Sequence, residues 1–213
     1  MNRFSTMGQH SLWEKRALLI NFLAERLKHN CLSLVLGSGV SKTFGLPGWD
    51  ELIKKMEEEC GYTCSGANVY EKADELRTFL MKKRNYEHYL DVVQKSLYSS
   101  VIDDFEVLNE RKVLDAIAAL CIPSRRGSIK EIITFNFDNI LEIYLKYYGI
   151  MAYSPVSGNS WRANADVNIY HIHGLLPKNM KSVRSPSIVF DKTSYKKRVV
   201  YQKWEWAPVS VRR

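Results

Sequence analysis

The 213-residue sequence has no apolar run approaching the ~20 residues needed to cross a bilayer; its longest candidates are residues 32–36 and 116–122. No membrane span is expected. The amino-terminal stretch MNRFSTMGQHSLWEK lacks an apolar core followed by a small-residue cleavage site, so a cytoplasmic location is expected rather than export. Cysteine is scarce. Of Cys31, Cys60, Cys64 and Cys121 only the middle two lie close together, and with no second Cys or His pair at matching spacing the expectation is four reduced thiols and no metal site. Repeats and low-complexity segments are missing as well. With 46% hydrophobic and 25% charged residues, the composition is that of one soluble domain large enough to bury its own core.

The net charge of +8 is absent from most of the chain, because residues 178–213 carry 10 Lys+Arg against 2 Asp+Glu while the preceding residues balance at 21 of each. The excess is confined to one tail. A basic tail can touch phosphates, yet no module dedicated to reading bases accompanies it, and nucleic acid is disfavoured as a partner.

The hydrophobic pattern that is present alternates strands and helices. Residues 11–30 open with SLWE, a capping-box pattern, and place Leu12, Leu19, Phe22, Leu23 and Leu27 at helical spacing. CLSLVLG follows as a short apolar run suited to a strand buried on both faces of a parallel sheet, then the glycine-rich GSGVSKTFGLPGW, then a helix over about residues 50–60. Residues 61–126 read as a helical insertion, with helices over about 69–83, 86–98 and 103–120. After it come a strand over about 131–135 and a helix bearing Ile140, Leu141, Tyr144 and Leu145 on one side. A third strand lies in NIYHIHGLLP, and SIVF before Asp191 reads as a fourth, with a helix beginning there. The expected fold is α/β, a parallel sheet with a helical insertion. In such sheets ligands bind where loops leave the carboxyl ends of strands, and GSGVS, TFNFD and HIHG all fall there.

Each loop has a chemical and a plainer explanation. Gly37-Ser38-Gly39 permits close backbone approach by a diphosphate, although GSGVSK matches neither a dinucleotide-binding glycine fingerprint nor a phosphate-binding loop, and a tight turn explains it too. Trp49, after GLPG, is either an aromatic lid or ordinary helix packing. Thr134, Asn136 and Asp138 alternate with Phe135 and Phe137, so the polar trio shares one direction and the rings point into packing. Asn136 could hold a ribose hydroxyl or orient water, or satisfy loop backbone; Asp138 could accept substrate hydrogen bonds, or cap the next helix. His171 and His173 share a face while the strand lasts, and His173, just before Gly174, is placed to act as a general base.

GSGVS with GLPGW, then TFNFD, then HIHG, in this order, resemble the sirtuin-like fold over about residues 31–195. The resemblance is closer to the sirtuin-like NAD hydrolase domains of bacterial antiviral defence systems, such as the one in Thoeris. It implies a modified Rossmann-like sheet binding NAD as substrate, with no prosthetic group. It also implies that Asn136 and His173 are needed for cleavage, while Gly37, Ser38, Gly39, Ser41, Pro47, Trp49, Thr134, Asp138 and Gly174 hold the nucleotide. The sirtuin deacylases usually have Gln where this chain has Phe135, and carry a four-cysteine zinc ribbon, so deacylation is disfavoured. Relatives continue beyond the His-Gly strand with a Gly-x-Ser loop on the adenosine side, whereas this sequence stops at WEWAPVSVRR. The single domain over residues 1–213 is therefore expected to be incomplete at its carboxyl end.

The function implied is NAD glycohydrolysis, depleting NAD in antiviral defence, with a homo-oligomer or a partner defence protein as the assembly. Its rivals are a silent NAD- or ADP-ribose-binding assembly module, a deacylase, and an NTPase disfavoured by its glycine spacing.

Overall fold

A computed structural model describes residues 15–83, 85–101, 112–155, 164–179 and 187–201. The order is α1 (Arg16–Lys28), β1 (Leu34–Leu36), α2 (Ser38–Lys42), α3 (Trp49–Cys60), α4 (Val69–Lys83), α5 (Tyr86–Tyr98) and α6 (Lys112–Cys121). Then follow β2 (Glu131–Thr134), α7 (Ile140–Tyr147), β3 (Ala152–Tyr153), β4 (Val167–His171), β5 (Gly174–Leu175), β6 (Ser187–Ile188) and α8 (Lys192–Tyr201).

Four strands form one parallel sheet in the order β1-β2-β4-β3, with Leu36 opposite Thr134 and Thr134 opposite His171. This is the expected Rossmann-like α/β arrangement, and the three strands that carry the motifs are neighbours. Every residue of β4 is buried, as a central parallel strand requires. Ile132, Ile169, Phe44, Leu141 and Leu145 belong to one buried core shared by the sheet and its helices.

Between β1 and β2 the described residues hold helices and no strand, as expected. Residues 103–111 of the anticipated third insertion helix lie outside them, and so do Ser11, Glu14 and most of the basic tail. The insertion is tied to the motifs through Tyr98 of α5, whose hydroxyl donates to the Leu176 carbonyl at 2.7 Å and accepts from the Asn139 amide at 3.2 Å.

Three expectations need correction. SIVF does not extend the parallel sheet: Ser187–Ile188 pairs antiparallel with Gly174–Leu175 in a separate ribbon, and the fourth parallel strand is Ala152–Tyr153, two residues that are too few to leave a periodic signal. β1 is not buried on both faces but lies at the sheet's edge, with Val35 65% exposed. The residues at helical spacing on α1 do not form one buried face either: Phe22 and Leu23 are exposed among the described residues while Leu27 packs against the core, since periodicity marks an apolar face without supplying what covers it.

The carboxyl end of α1 is nevertheless docked firmly. Gly127 has φ +81°, and a Cβ there would lie 1.9 Å from the Leu27 carbonyl oxygen, so only glycine fits where this turn meets the helix.

Candidate functional site

The three loops converge at the carboxyl ends of β1, β2 and β4. There, a cleft of about 430 Å³, open to solvent, is lined by Ser38, Ser41, Pro47, Trp49, Asn136 and Asp138 together with Phe135, Phe137 and Phe190.

One polar network ties the first two motifs together. The Asn136 Nδ2 amide donates to the Gly37 carbonyl at 3.0 Å and to Ser41 Oγ at 2.7 Å, and Ser41 Oγ donates to Asp138 Oδ2 at 2.7 Å. Because a carbonyl can only accept, the Gly37 contact fixes which side of the Asn136 carboxamide is nitrogen. Among the described residues nothing donates to its Oδ1, leaving an acceptor at the cleft wall. Asp138, one residue before the N-cap Asn139, also accepts the first amide of α7, that of Ile140, through Oδ1 at 3.2 Å while bracing Ser41. Burial pushes its carboxyl up, against the lowering effect of those two hydrogen bonds. Thr134 Oγ1 accepts the Asn136 amide at 3.1 Å and holds the turn.

The GSG segment is not an open loop, since Ser38–Lys42 forms a short helix that Gly37 precedes in extended conformation. A Cβ added at Gly37 or at Gly39 would meet nothing among the described residues within 4 Å, so neither fold nor packing there demands glycine. Free space above the backbone is what the glycines preserve. Trp49 combines both readings: it lines the cleft, and its ring stacks on Phe190 at 5.0 Å.

The two histidines part company. β4 ends at His171, which turns inward, with Nδ1 2.8 Å from the Asn136 carbonyl and Nε2 2.7 Å from Glu142 Oε1. His173 lies beyond the strand, 9% exposed, its ring 5.5 Å from that of Phe135, and its Nε2 is 2.9 Å from the Tyr195 hydroxyl. Phe135 therefore does not join the core as anticipated; it is 47% exposed, at the edge between cleft and His173, while Phe137 is buried against Phe190. Gly174 adopts φ +84° and begins β5, serving the turn out of His173 rather than the cleft lining.

Sequence reasoning missed Glu142, Tyr195 and Phe190. Nothing local marks Tyr195, whose position depends on how α8 folds back. Among the described residues there is no group of His, Cys, Asp and Glu that could hold a metal ion.

Parallel strands whose connecting loops leave neighbouring carboxyl ends, with helices between them, are a Rossmann-like α/β arrangement. A family model described as a SIR2-like domain matches residues 130–212, which include TFNFD and HIHG but not the glycine segment. The similarity supports a sirtuin-like family and, with it, an NAD-related function. No curated protein matches the chain.

Proposed function

We propose that the protein is an NAD glycohydrolase of the sirtuin-like type, acting by NAD depletion in antiviral defence. The observation that carries this reading is the fixed Asn136 carboxamide, held through its nitrogen with its oxygen left as an acceptor at the cleft. Such an acceptor can hold a ribose hydroxyl or orient water. Water adds to the ribose anomeric carbon as the carbon–nitrogen bond breaks, and the bonding pair leaves with nicotinamide, neutralising its ring. The leaving group needs no proton; the proton lost by water passes to a base, the role given to His173. Gly37, Ser38 and Gly39 would seat the diphosphate, Pro47 and Trp49 would wall the cleft, and Asp138 would act through Ser41.

The test is nicotinamide release from NAD by wild type, Asn136→Ala and His173→Ala, with folding checked by circular dichroism. Wild-type turnover with a loss of about 10²–10⁴-fold in each variant supports the reading. Turnover unchanged in both would overturn it.

A second reading, a module that binds NAD or ADP-ribose without cleaving it, is favoured by Tyr195, which occupies His173 Nε2. Binding with no nicotinamide release by the wild type would select it.

A further inference from the structure

Behind Asn136 lies a buried ionic arrangement that the proposed chemistry does not use. His171 and Glu142 have side chains 3% and 15% exposed, and they meet at 2.7 Å. The opposite ring nitrogen of His171 reaches the Asn136 backbone carbonyl at 2.8 Å, and Ser154 Oγ donates to the same Glu142 oxygen. The Asn136 carbonyl is an acceptor, so His171 Nδ1 must carry a proton and donate. Nε2 faces a carboxylate oxygen that is likewise an acceptor, so it too carries a proton. Both ring positions are committed as donors, which describes an imidazolium between a carboxylate and a carbonyl. Burial pulls the His171 ring down, yet Glu142 and the Asn136 carbonyl bring it to a net value above the ordinary one. Burial likewise pushes Glu142 up, and His171 and Ser154 bring it net below.

We infer that Glu142 and His171 form a positioning pair for Asn136: Glu142 on α7 anchors the His171 ring, which holds the Asn136 carbonyl and so aims the carboxamide of that residue at the cleft. The inference rests on the proposed role of Asn136 and names residues that would never touch substrate. Asn136 is then gripped from both ends, by His171 through its backbone and by Gly37 and Ser41 through its side chain. A hydrolase triad is a poor description of the cluster, because the histidine nitrogen nearest Ser154 faces Glu142 at shorter range, 2.7 Å against 3.4 Å.

Glu142→Gln tests the pair with little change of shape. In wild type, ¹⁵N NMR of the imidazoles at pH 7.5 should show His171 protonated on both nitrogens; a ring with a bare nitrogen would overturn the assignment. In Glu142→Gln the main charge opposing burial is gone, so His171 should give up its second proton at a lower pH than in wild type. The Asn136 carbonyl would then be held only by the tautomer protonated at Nδ1. Nicotinamide release at pH 8 should fall between about tenfold and a hundredfold in kcat, with KM within about twofold, and recover toward wild type at pH 5.5. The other titratable groups facing this pair are Asp138, in the loop before α7, and Tyr98, on α5; both remain in the variant. A kcat loss equal at both pH values would mean a merely structural role and overturn the proposal. Should wild type prove unable to cleave NAD, the functional reading fails by itself. The pair is then judged by the Asn136 side-chain amide resonances, which should shift in Glu142→Gln and, if unmoved, would refute it.

Discussion

Tyr195 closes over His173: its hydroxyl lies 2.9 Å from Nε2, and the two rings meet edge to face with centroids 5.2 Å apart. A substrate hydroxyl seeking Nε2 must displace that phenol. Tyr195→Phe keeps the ring contact and removes the competing hydrogen bond, worth about 1 kcal/mol. Nicotinamide release should rise about fivefold; a loss above tenfold would instead place the Tyr195 hydroxyl in the chemistry.

Glycine substitutions should separate ligand space from fold. At Gly39 an added side chain meets open space, so Gly39→Val should leave the melting temperature nearly unchanged while weakening NAD or ADP-ribose binding at least tenfold by calorimetry. Gly127→Ala should do the reverse. Its positive φ and the backbone clash with Leu27 should cost about 1–3 kcal/mol in urea denaturation, with affinity per folded molecule retained.

Ser41→Ala removes an acceptor from Asn136 and a donor from buried Asp138 in one change. Destabilisation of about 1–3 kcal/mol is expected, together with a fall in nicotinamide release beyond what unfolding explains. Equal loss of fold and activity would show that Ser41 only supports packing.

The Glu142–His171 pair should leave its mark on stability as pH changes. Glu142 is held below its ordinary 4.5, so its contribution is present above that pH and lost as pH falls through the lowered value. His171 is held above its ordinary 6.5, so its contribution is complete below that pH and lost as pH rises through the raised value. Urea denaturation of wild type and Glu142→Gln should therefore differ most between pH 4.5 and 6.5, on the order of 3 kcal/mol, with the gap narrowing on either side. Asp138, raised by burial, is present in both proteins and largely cancels. A gap that is constant across pH would contradict the ion pair.

Much of this arrangement was legible in the chain. Apolar runs ending in GSGVS, TFNFD and HIHG located the three strands and the shared end of the sheet, because a buried parallel strand leaves a continuous apolar signal. The plainer readings of Asp138 and Asn136 were readable too: Asp138 accepts the first amide of α7 and Asn136 satisfies the Gly37 carbonyl. Partner choice was not readable. The two-residue period put His171 and His173 on one face, but β4 ends at His171, and the bend after it sends them to Glu142 and Tyr195 respectively. Likewise β1 was read as buried on both faces from its apolar run, although Val35 is 65% exposed because burial depends on which elements come to lie beside a strand.

Ser41 and Asp138 are joined across 97 residues of sequence, and Asn136 reaches Gly37 across 99. Contacts of such span carry a loop-closure cost that local helices do not, and they form only once β1 has found β2. During folding, α3, α4 and α5 can gather into a hairpin-like cluster of neighbours in sequence while the cleft has no walls. Ligand competence therefore arrives late, as a property of the closed chain rather than of any segment of it. A fragment ending before Glu131 would retain helical signal while having nothing for Ser41 to bond.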